Sequence, residues 1–370
     1  MRDNLFNMNL IEILQKLVEF KTVSNNHDKN RVTLDWIEKS LKTLPVFMTR
    51  HISNGFPSLV ITTQKTKRPV LWLAAHIDVV PAPDQEFKFR IQGNKILGRG
   101  VLDMKFAAAC YMGLLQELGP RLKQYNFGIM LTSDEEIGGS DGVGFLVKKG
   151  YQSKIVVLPD DGRSWGLESG AKGPWHLTLM SNGVAAHGAR PWLGKNAIDQ
   201  LSDFVGELKQ CFPQEPCGNN NHAHPTINVG IFSGGSAINQ IPAQAQASID
   251  MRFVGHKEKI TTEKIVQKLL RKYQGVTIQS QMYAKPHSFD LNNRYFKSFI
   301  DSAKQNGVTL KSGISHGSSD ARFFAEKRIP VILSTPPGGN NHGDGEWIDH
   351  GGLGTFYKIL KDFIIKEAKK

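Results

Sequence analysis

Histidine, aspartate and glutamate side chains recur in five short polar segments that could bind metal ions or transfer protons. The segments are His76-Ile77-Asp78, Gly98 through Asp103, Asp134-Glu135-Glu136, Asp160-Asp161 and Asn340 through Glu346. Imidazole nitrogens and carboxylate oxygens are ligands that zinc accepts, and two adjacent carboxylates can serve separately as ligand and general base. Taken singly, each segment also fits a structural role, such as a helix N-cap for Asp103 or a turn for Asp160.

The elements that precede these segments are predicted to bring them together. Short apolar strands alternate with helices, at Val70–Ala75, Met104–Leu118, Phe127–Thr132, Asp141–Lys149, Ile155–Leu158 and Val331–Ser334. This alternation predicts an α/β domain whose sheet is covered by helices on both faces, with sites just beyond the strand ends. Two histidines and several carboxylates that converge there would form a two-metal site able to polarise a carbonyl group.

The middle of the chain has a different pattern, which predicts a two-layer α+β insert. Its predicted elements are a strand, a helix, two strands, a helix and a strand, at Trp175–Met180, Ala197–Leu208, Thr226–Phe232, Gln246–Phe253, Lys257–Tyr273 and Val276–Gln281. We therefore predict a discontinuous catalytic domain, residues 1–172 and 286–370, interrupted by an inserted domain, residues 173–285.

Composition excludes several classes of protein. The 370 residues carry 46 basic and 34 acidic side chains, a net charge of +12, but the basic residues are dispersed and form no nucleic-acid-binding signature. The apolar stretches are far too short to span a bilayer. The N-terminal segment has helical periodicity at Ile11, Leu14, Leu17 and Val18 rather than a leader pattern, and the three cysteines have no disulfide spacing. We expect a cytoplasmic protein with no nucleic-acid or membrane partner.

The motifs resemble the metallopeptidase family that includes succinyl-diaminopimelate desuccinylase, acetylornithine deacetylase, aminoacylase and the glutamate carboxypeptidases. The blocks that carry the resemblance follow the family's order and spacing over nearly the whole chain: Ala75 through Pro81, Gly98-Arg99-Gly100 with Asp103-Met104-Lys105, Thr132 through Glu136, Gly183 through Gly188, Asn239 through Pro242, Ser319 through Arg322 and His342 through Trp347. The resemblance implies a zinc-peptidase-like α/β catalytic domain with a mixed sheet covered by helices, and an inserted α+β lid.

The resemblance also implies two zinc ions per subunit, with cobalt or manganese as the alternatives. One ion would be held by His76, Asp103 and Asp160, and the other by Asp103, Glu136 and His342, so that Asp103 bridges the two. Asp161 is the alternative to Asp160, because this chain has Pro-Asp-Asp-Gly where relatives have Gly-Glu-Pro or Pro-Asp-Gly-Gly. His350 is the alternative to His342, although only His342 has a Glu-Trp pair at the family's offset.

Other roles follow from the same resemblance. Glu135 would be the general base, taking a proton from metal-activated water and passing it to the leaving nitrogen. Asp78 would orient His76 through the second ring nitrogen, as carboxylates commonly do for a ligating histidine. The peptide bond between Asp103 and Met104 would be cis.

The inserted lid would form a homodimer and contribute residues to catalysis. His187 would reach the site of a neighbouring subunit and donate to the oxyanion, assisted by Asn239. Arg252 and Arg322 are candidates for binding a substrate carboxylate, which arginine can hold with two parallel hydrogen bonds.

The implied reaction is hydrolysis of the amide bond of an N-acyl amino acid or a short peptide, a small-molecule substrate. We favour a general deacylase or exopeptidase. Succinyl-diaminopimelate desuccinylase and acetylornithine deacetylase are the alternatives, and a catalytically inactive binding protein with the same fold is a third. Glutamate at position 135, together with two bound metals, would distinguish an enzyme from a binding protein.

Overall fold

The computed structural model describes residues 9–162, 164–213 and 224–370. The helices of these residues are α1 (Leu10–Glu19), α2 (His27–Leu41), α3 (Lys105–Leu118), α4 (Val143–Lys148), α5 (Ala197–Lys209), α6 (His256–Lys272), α7 (Arg294–Gln305), α8 (Ala321–Ala325) and α9 (His350–Glu367). Short 3-10 helices lie at Asp84–Phe87, Gly119–Gln124, Glu135–Ile137 and Pro191–Leu193.

The strands of the described residues are mostly short. They are β1 (Phe47–Ser53), β2 (Phe56–Thr62), β3 (Leu71–His76), β4 (Arg90–Gln92), β5 (Lys95–Leu97), β6 (Phe127–Thr132), β7 (Ile155–Val157), β8 (Gly166–Ala171), β9 (Gly173–Asn182), β10 (Ala186–His187), β11 (Thr226–Gly234), β12 (Gln240–Ile241), β13 (Gln244–Phe253), β14 (Val276–Tyr283), β15 (His287–Ser288), β16 (Lys311–Ser315), β17 (Val331–Ile332), β18 (Gly338–Gly339) and β19 (Trp347–Asp349). Helices and strands alternate along the chain, which confirms the predicted mixed α/β class.

The chain divides into two compact units. The first comprises Met1–Ser169, Phe289–Gly313 and Ser319–Lys370, and the second comprises Gly170–Ser288 and Ile314–Ser318. The sequence predicts an insert at residues 173–285. The second unit begins three residues before that range, ends three residues after it, and also includes a short segment from later in the chain.

A six-stranded mixed sheet is the centre of the first unit. Its order is β1-β2-β6-β3-β7-β17; β6, β3, β7 and β17 are parallel, whereas β2 is antiparallel to both of its neighbours, β1 and β6. Parallel strands end at the same edge of a sheet, so the polar segments that follow β3, β6 and β7 emerge side by side. This arrangement brings together segments that are far apart in sequence.

Both faces of this sheet are covered. Along β3, Leu71 and Leu73 pack into one hydrophobic cluster with residues of α1, α2, α3, α7 and α9, whereas Trp72 and Ala74 pack into another with residues of α4 and α8. Successive side chains of a strand point to opposite faces, so a strand buried on both faces is apolar throughout. This explains the continuous apolar runs in the sequence.

A small antiparallel sheet, of order β18-β19-β5-β4, lies in the same unit. Trp347 of β19 pairs with Leu97 of β5, and the Gly98 N–H continues the ladder by donating to the Glu346 carbonyl at 3.0 Å. Because the two strands are antiparallel, the loop that follows β5 lies beside the loop that precedes β19. Those loops contain Asp103 and His342.

The second unit has the two layers predicted for the insert. An antiparallel sheet of order β11-β13-β9-β14 packs one face against α5 and α6. The buried side chains between them include Leu177 and Ile249 of the sheet, Phe204 of α5 and Val266 of α6. Separately, β10 pairs with β12, with His187 opposite Gln240.

Helix α2 and the hairpin of β1 and β2 are among the elements that the sequence analysis did not predict. Helix α2 has a weak apolar periodicity, and the hairpin of β1 and β2 was not identified from the sequence. Its turn contains Asn54 (φ +44°) and Gly55 (φ +89°), a pair of residue types favoured in two-residue hairpin turns.

Among the described residues, every helix is too short or too polar to cross a bilayer.

Candidate metal centre

His76 is the last residue of β3, and its ring is almost completely buried. Nδ1 lies 3.0 Å from the backbone carbonyl of Asp78, so Nδ1 carries a proton and Nε2 faces the opposite direction. Nε2 is 3.2 Å from Asp103 Oδ1 and 3.4 Å from Asp160 Oδ1. Burial lowers the pKa of His76, but these carboxylates and Asp78 together raise it well above its ordinary value.

Asp103 lies between the two histidines. Its Oδ1 faces His76, and its Oδ2 is 3.0 Å from His342 Nε2. Burial raises the pKa of Asp103, yet hydrogen bonds from His342 and His76 outweigh that effect and hold the pKa below its usual range. The peptide bond between Asp103 and Met104 is cis, as the resemblance implies.

The Glu135-Glu136 pair follows β6 in a 3-10 turn whose backbone is held by Asp78. The Asp78 carboxylate, which is fully buried, accepts from the N–H groups of Glu135 (3.3 Å) and Glu136 (3.2 Å) and from the Ser24 hydroxyl (2.8 Å). Its distance to His76 Nδ1 is 3.5 Å. Asp78 therefore orients the ring mainly through its backbone carbonyl, whereas its carboxylate anchors the glutamate turn.

The two glutamates have different surroundings. Glu136 Oε2 is 2.9 Å from His342 Nε2, which completes a contact between His342 and two carboxylates. Hydrogen bonds that the His342 ring donates to Asp103 and Glu136 raise the pKa of His342 to about 10. The pKa of Glu135 is raised well above its ordinary value by burial and by repulsion from Asp160.

Asp160, rather than Asp161, faces His76. Burial raises the pKa of Asp160 to about 6 against the lowering effect of His76. Asp161 directs Oδ1 to the N–H of Gly162, at 2.8 Å. His350, the alternative to His342, is the first residue of α9, and its N–H donates to the Asn94 carbonyl.

The donor set fits divalent cations. Ligand atoms of His76, Asp103 and Glu136 lie within 4.8 Å of one another, and so do those of His76, Glu135 and Asp160. Imidazole nitrogens with carboxylate oxygens are typical zinc ligands. Buried carboxylates that repel one another are costly unless a cation offsets their charge. Burial and this repulsion raise the pKa values of Glu135 and Asp160, and bound cations would oppose both effects.

Glu346 is a supporting residue to which sequence reasoning assigned no role. Its buried carboxylate accepts from the N–H groups of Gly100 (3.0 Å), Leu102 (2.9 Å) and Asp103 (3.1 Å), and from Arg99 Nη1 (2.9 Å). The available signal was an acidic side chain four residues after His342, in a loop where burial of a charge requires partners.

Arg322 and Asp320 support the glutamate turn from α8 and the residue before it. Arg322 Nη2 donates to the Gly138 carbonyl, and its guanidinium lies 4.6 Å from the centre of the Phe323 ring. The backbone of Gly139 approaches Asp320 so closely that a side chain at Gly139 would overlap the carboxylate. Arg322, a predicted substrate-binding residue, therefore already uses Nη2 for a contact within the protein.

The remaining predicted residues lie in the second unit. The Gly188 N–H donates to the Asn239 carbonyl at 2.7 Å. The pairing of β10 with β12 therefore places the backbone of Asn239 beside the residue that follows His187. The Ala189 N–H donates to His187 Nδ1, which leaves the ring proton on the exposed Nε2. Arg252 is already held by Asp250, at 2.8 Å and 3.0 Å through two parallel hydrogen bonds.

The chain matches known proteins over most of its length. The family model of peptidase family M20/M25/M40 matches residues 72–366. A succinyl-diaminopimelate desuccinylase of Sulfurovum sp. is 24% identical over 375 residues, covering 96% of this chain and 98% of the relative. A probable carboxypeptidase of Paracoccidioides brasiliensis is 32% identical over 207 residues, covering 50% of this chain and 45% of the relative. The match therefore spans less than half the length of that carboxypeptidase.

The fold is also found among solved structures. The crystal structure of a tripeptidase from Staphylococcus aureus superimposes with a TM-score of 0.82 at 19% identity, covering 96% of each chain. Peptidases hydrolyse amide bonds, so the match to the family model confirms the predicted hydrolase class. The chain belongs to peptidase family M20/M25/M40.

Proposed function

We propose that this protein is a two-metal amidohydrolase that cleaves N-acyl amino acids or short peptides. The observation that carries the proposal is the position of Asp103, whose two oxygens each face a different histidine. His76, Asp103 and Asp160 would hold one ion, and Asp103, Glu136 and His342 the other. Zinc fits this donor set, with cobalt and manganese as alternatives. When bound, such a metal pair lowers the pKa of water and polarises a carbonyl oxygen.

Glu135 is proposed as the general base. Its side chain is close enough to His76 and Asp160 to share their site, and burial together with repulsion from Asp160 raises its pKa. A carboxylate with a raised pKa can take a proton from the attacking water and return it to the departing nitrogen. Asp78 supports this role, because it holds the N–H of Glu135 and thereby the direction of the side chain.

A second candidate function is desuccinylation of N-succinyl-diaminopimelate. The relative from Sulfurovum sp., named a succinyl-diaminopimelate desuccinylase, aligns over almost the whole chain. The tripeptidase structure from Staphylococcus aureus matches this chain over a similar length. Length of match therefore does not select between the two candidates, and a direct comparison of substrates is needed to identify the acyl group.

We further propose that two copies pair through the second unit and that His187 donates to the oxyanion in the partner's site. The support is that His187 carries its ring proton on exposed Nε2, next to Asn239, and that β11, an edge strand, exposes Ile231 and Phe232. Exposed apolar side chains on an edge strand are a common basis for association.

Metal removal tests the proposed class. Zinc-loaded and chelator-treated protein would be assayed with N-acyl amino acids, N-succinyl-diaminopimelate, dipeptides and tripeptides. We expect cleavage that is lost with the chelator and restored by zinc, and the ranking of rates identifies the substrate class. Selective cleavage of the succinyl compound would favour the second candidate. Cleavage unaffected by full metal removal would contradict a metal-dependent hydrolase.

Replacing Glu135 by Gln tests the base. The amide keeps the size of the side chain but cannot take a proton, so we expect kcat to fall roughly 10²–10⁴-fold. Both metal equivalents should remain by elemental analysis, since the proposed ligands are unchanged. A rate near that of the unsubstituted protein would exclude Glu135 as the base.

Asp160→Asn and Asp161→Asn form a matched pair that tests the ligand assignment. Asp160 faces His76, whereas Asp161 bonds to its neighbouring N–H. We expect Asp160→Asn to weaken one metal equivalent by more than the roughly 10–100-fold typical for loss of a group that only supports a ligand. Asp161→Asn should leave both affinities close to the original values. The reverse order, measured by calorimetric titration, would transfer the assignment to Asp161.

Complementation tests whether His187 acts in the partner's site. Chains carrying His187→Ala and Glu135→Gln would be co-expressed with different tags, and mixed dimers purified through both tags. Each chain alone is expected to be nearly inactive, whereas a mixed dimer contains one complete site of its two and should recover about half of the parental activity. Mixed dimers as inactive as the parents would contradict action between subunits, and failure to purify any would contradict the dimer.

A further inference from the structure

One buried ion pair joins the loops that carry Asp103 and His342. Arg99 belongs to the loop leading to Asp103, and Glu346 ends the loop that begins at His342; both are at most 2% exposed. Arg99 Nη1 is 2.9 Å from Glu346 Oε2, and Arg99 Nη2 donates to the Gly343 carbonyl at 2.9 Å. The Arg99 side chain therefore bonds to the loop of His342, and the Glu346 side chain bonds to the loop of Asp103.

Glu346 also fixes the backbone of the Asp103 loop. Its Oε2 accepts from the N–H of Gly100, and its Oε1 accepts from Leu102 and Asp103. The last of these bonds holds the peptide group of Asp103 itself. With Arg99 included, four donors converge on one carboxylate, so both oxygens are used.

Burying the Glu346 carboxylate has a free-energy cost that a side chain needed only for packing would not have. Glu346 adds a buried negative charge close to a cluster of carboxylates, and a neutral side chain would pack there without repelling them. A carboxylate is favoured where several N–H groups in one loop must be held together in a single geometry. Metal sites need such accuracy, because ligands must be held within about 0.5 Å of the productive geometry.

We propose that Glu346, paired with Arg99, is a positioning residue that sets the spacing of Asp103 and His342 and so the affinity for the ion they share. The inference rests on the proposed two-metal function and adds to it a residue that supports two of the three ligands of the ion held by Asp103, Glu136 and His342. The other ion shares Asp103, but its remaining ligands, His76 and Asp160, have no hydrogen bond to this pair among the contacts of the described residues, so that ion should be less affected.

Glu346→Gln is the main test, and Glu117→Gln is its matched control. The amide introduced at position 346 would present an N–H₂ group to at least one of the donors and leave Arg99 without its counter-charge. Glu117 undergoes the same chemical change but only joins α3 to α9, through Tyr357 and Lys361. Metal-free proteins would be compared by circular dichroism and thermal unfolding and then titrated calorimetrically with Zn²⁺, with Co²⁺ absorption as an independent reading of ligand geometry.

We expect Glu346→Gln to fold and to bind one of its two Zn²⁺ equivalents about 10–100-fold more weakly, with an altered Co²⁺ spectrum. Glu117→Gln should bind both equivalents as the unsubstituted chain does. Parental affinity for both equivalents in folded Glu346→Gln would overturn the inference.

Arg99→Lys decides the matter if Glu346→Gln does not fold. Lysine keeps the charge opposite Glu346 but cannot bond to Glu346 and Gly343 in the same fork geometry. We expect folded Arg99→Lys to show a smaller loss at the same equivalent; parental binding of both would overturn the inference in favour of a purely structural pair. If the unsubstituted chain binds no metal, the proposed function itself fails, which the parental titration distinguishes.

Discussion

Negative charge crowded at the buried edge of a sheet is the constraint on which the rest of this structure depends. Asp103, Glu135, Glu136 and Asp160 converge there, and the imidazole rings of His76 and His342 lie against them. Burial and mutual repulsion raise the pKa of Glu135 and Asp160, which means that the ionised cluster is unfavourable without further positive charge. Such unfavourable charge is tolerated where it serves a function, and bound metal cations are the simplest compensation.

The loops that bear these side chains are held by two further carboxylates. Asp78 gathers the N–H groups of the glutamate turn, and Glu346 gathers those of the Asp103 loop. Backbone N–H groups directed at a carboxylate stabilise its charge without adding a mobile side chain. The acidic centre is therefore surrounded by acidic supports, each made tolerable by several donors.

Arg252 and Arg322, the two candidates for substrate binding, also form hydrogen bonds within the protein. Arg252 is bound on its own strand by Asp250, and Arg322 bonds to the Gly138 carbonyl beside the glutamate turn. A guanidinium that already bonds within the protein is a weaker candidate for substrate recognition than its sequence position indicates. The partner of Arg252 could have been identified from the sequence, since residues two apart in a strand share a face.

The sequence by itself determined the apolar strands β3, β6 and β7, the polar segments that follow them and the two-layer second unit. Continuous apolar runs bounded by turn-forming residues are local signals, and the parallel arrangement follows from their alternation with helices. His76, Glu135, Glu136 and Asp160 could be placed at one sheet edge for that reason. The segments that contain Asp103 and His342 were also identified from their residue types, and the family resemblance then assigned both side chains as ligands of one ion.

Only the tertiary structure decided how those last two residues meet. Strands β5 and β19 are three residues each and about 250 positions apart, as Leu97 and Trp347 show, too short for periodicity to reveal their pairing. Which oxygen of Asp103 faces which histidine and which donors reach Glu346 depend on that pairing. The use of the Asp78 backbone rather than its carboxylate for His76 depends on the geometry of the loop after β3. Hydrogen-bond partners are set by distances between distant segments, and the order of residues along a chain does not contain those distances until the chain has folded.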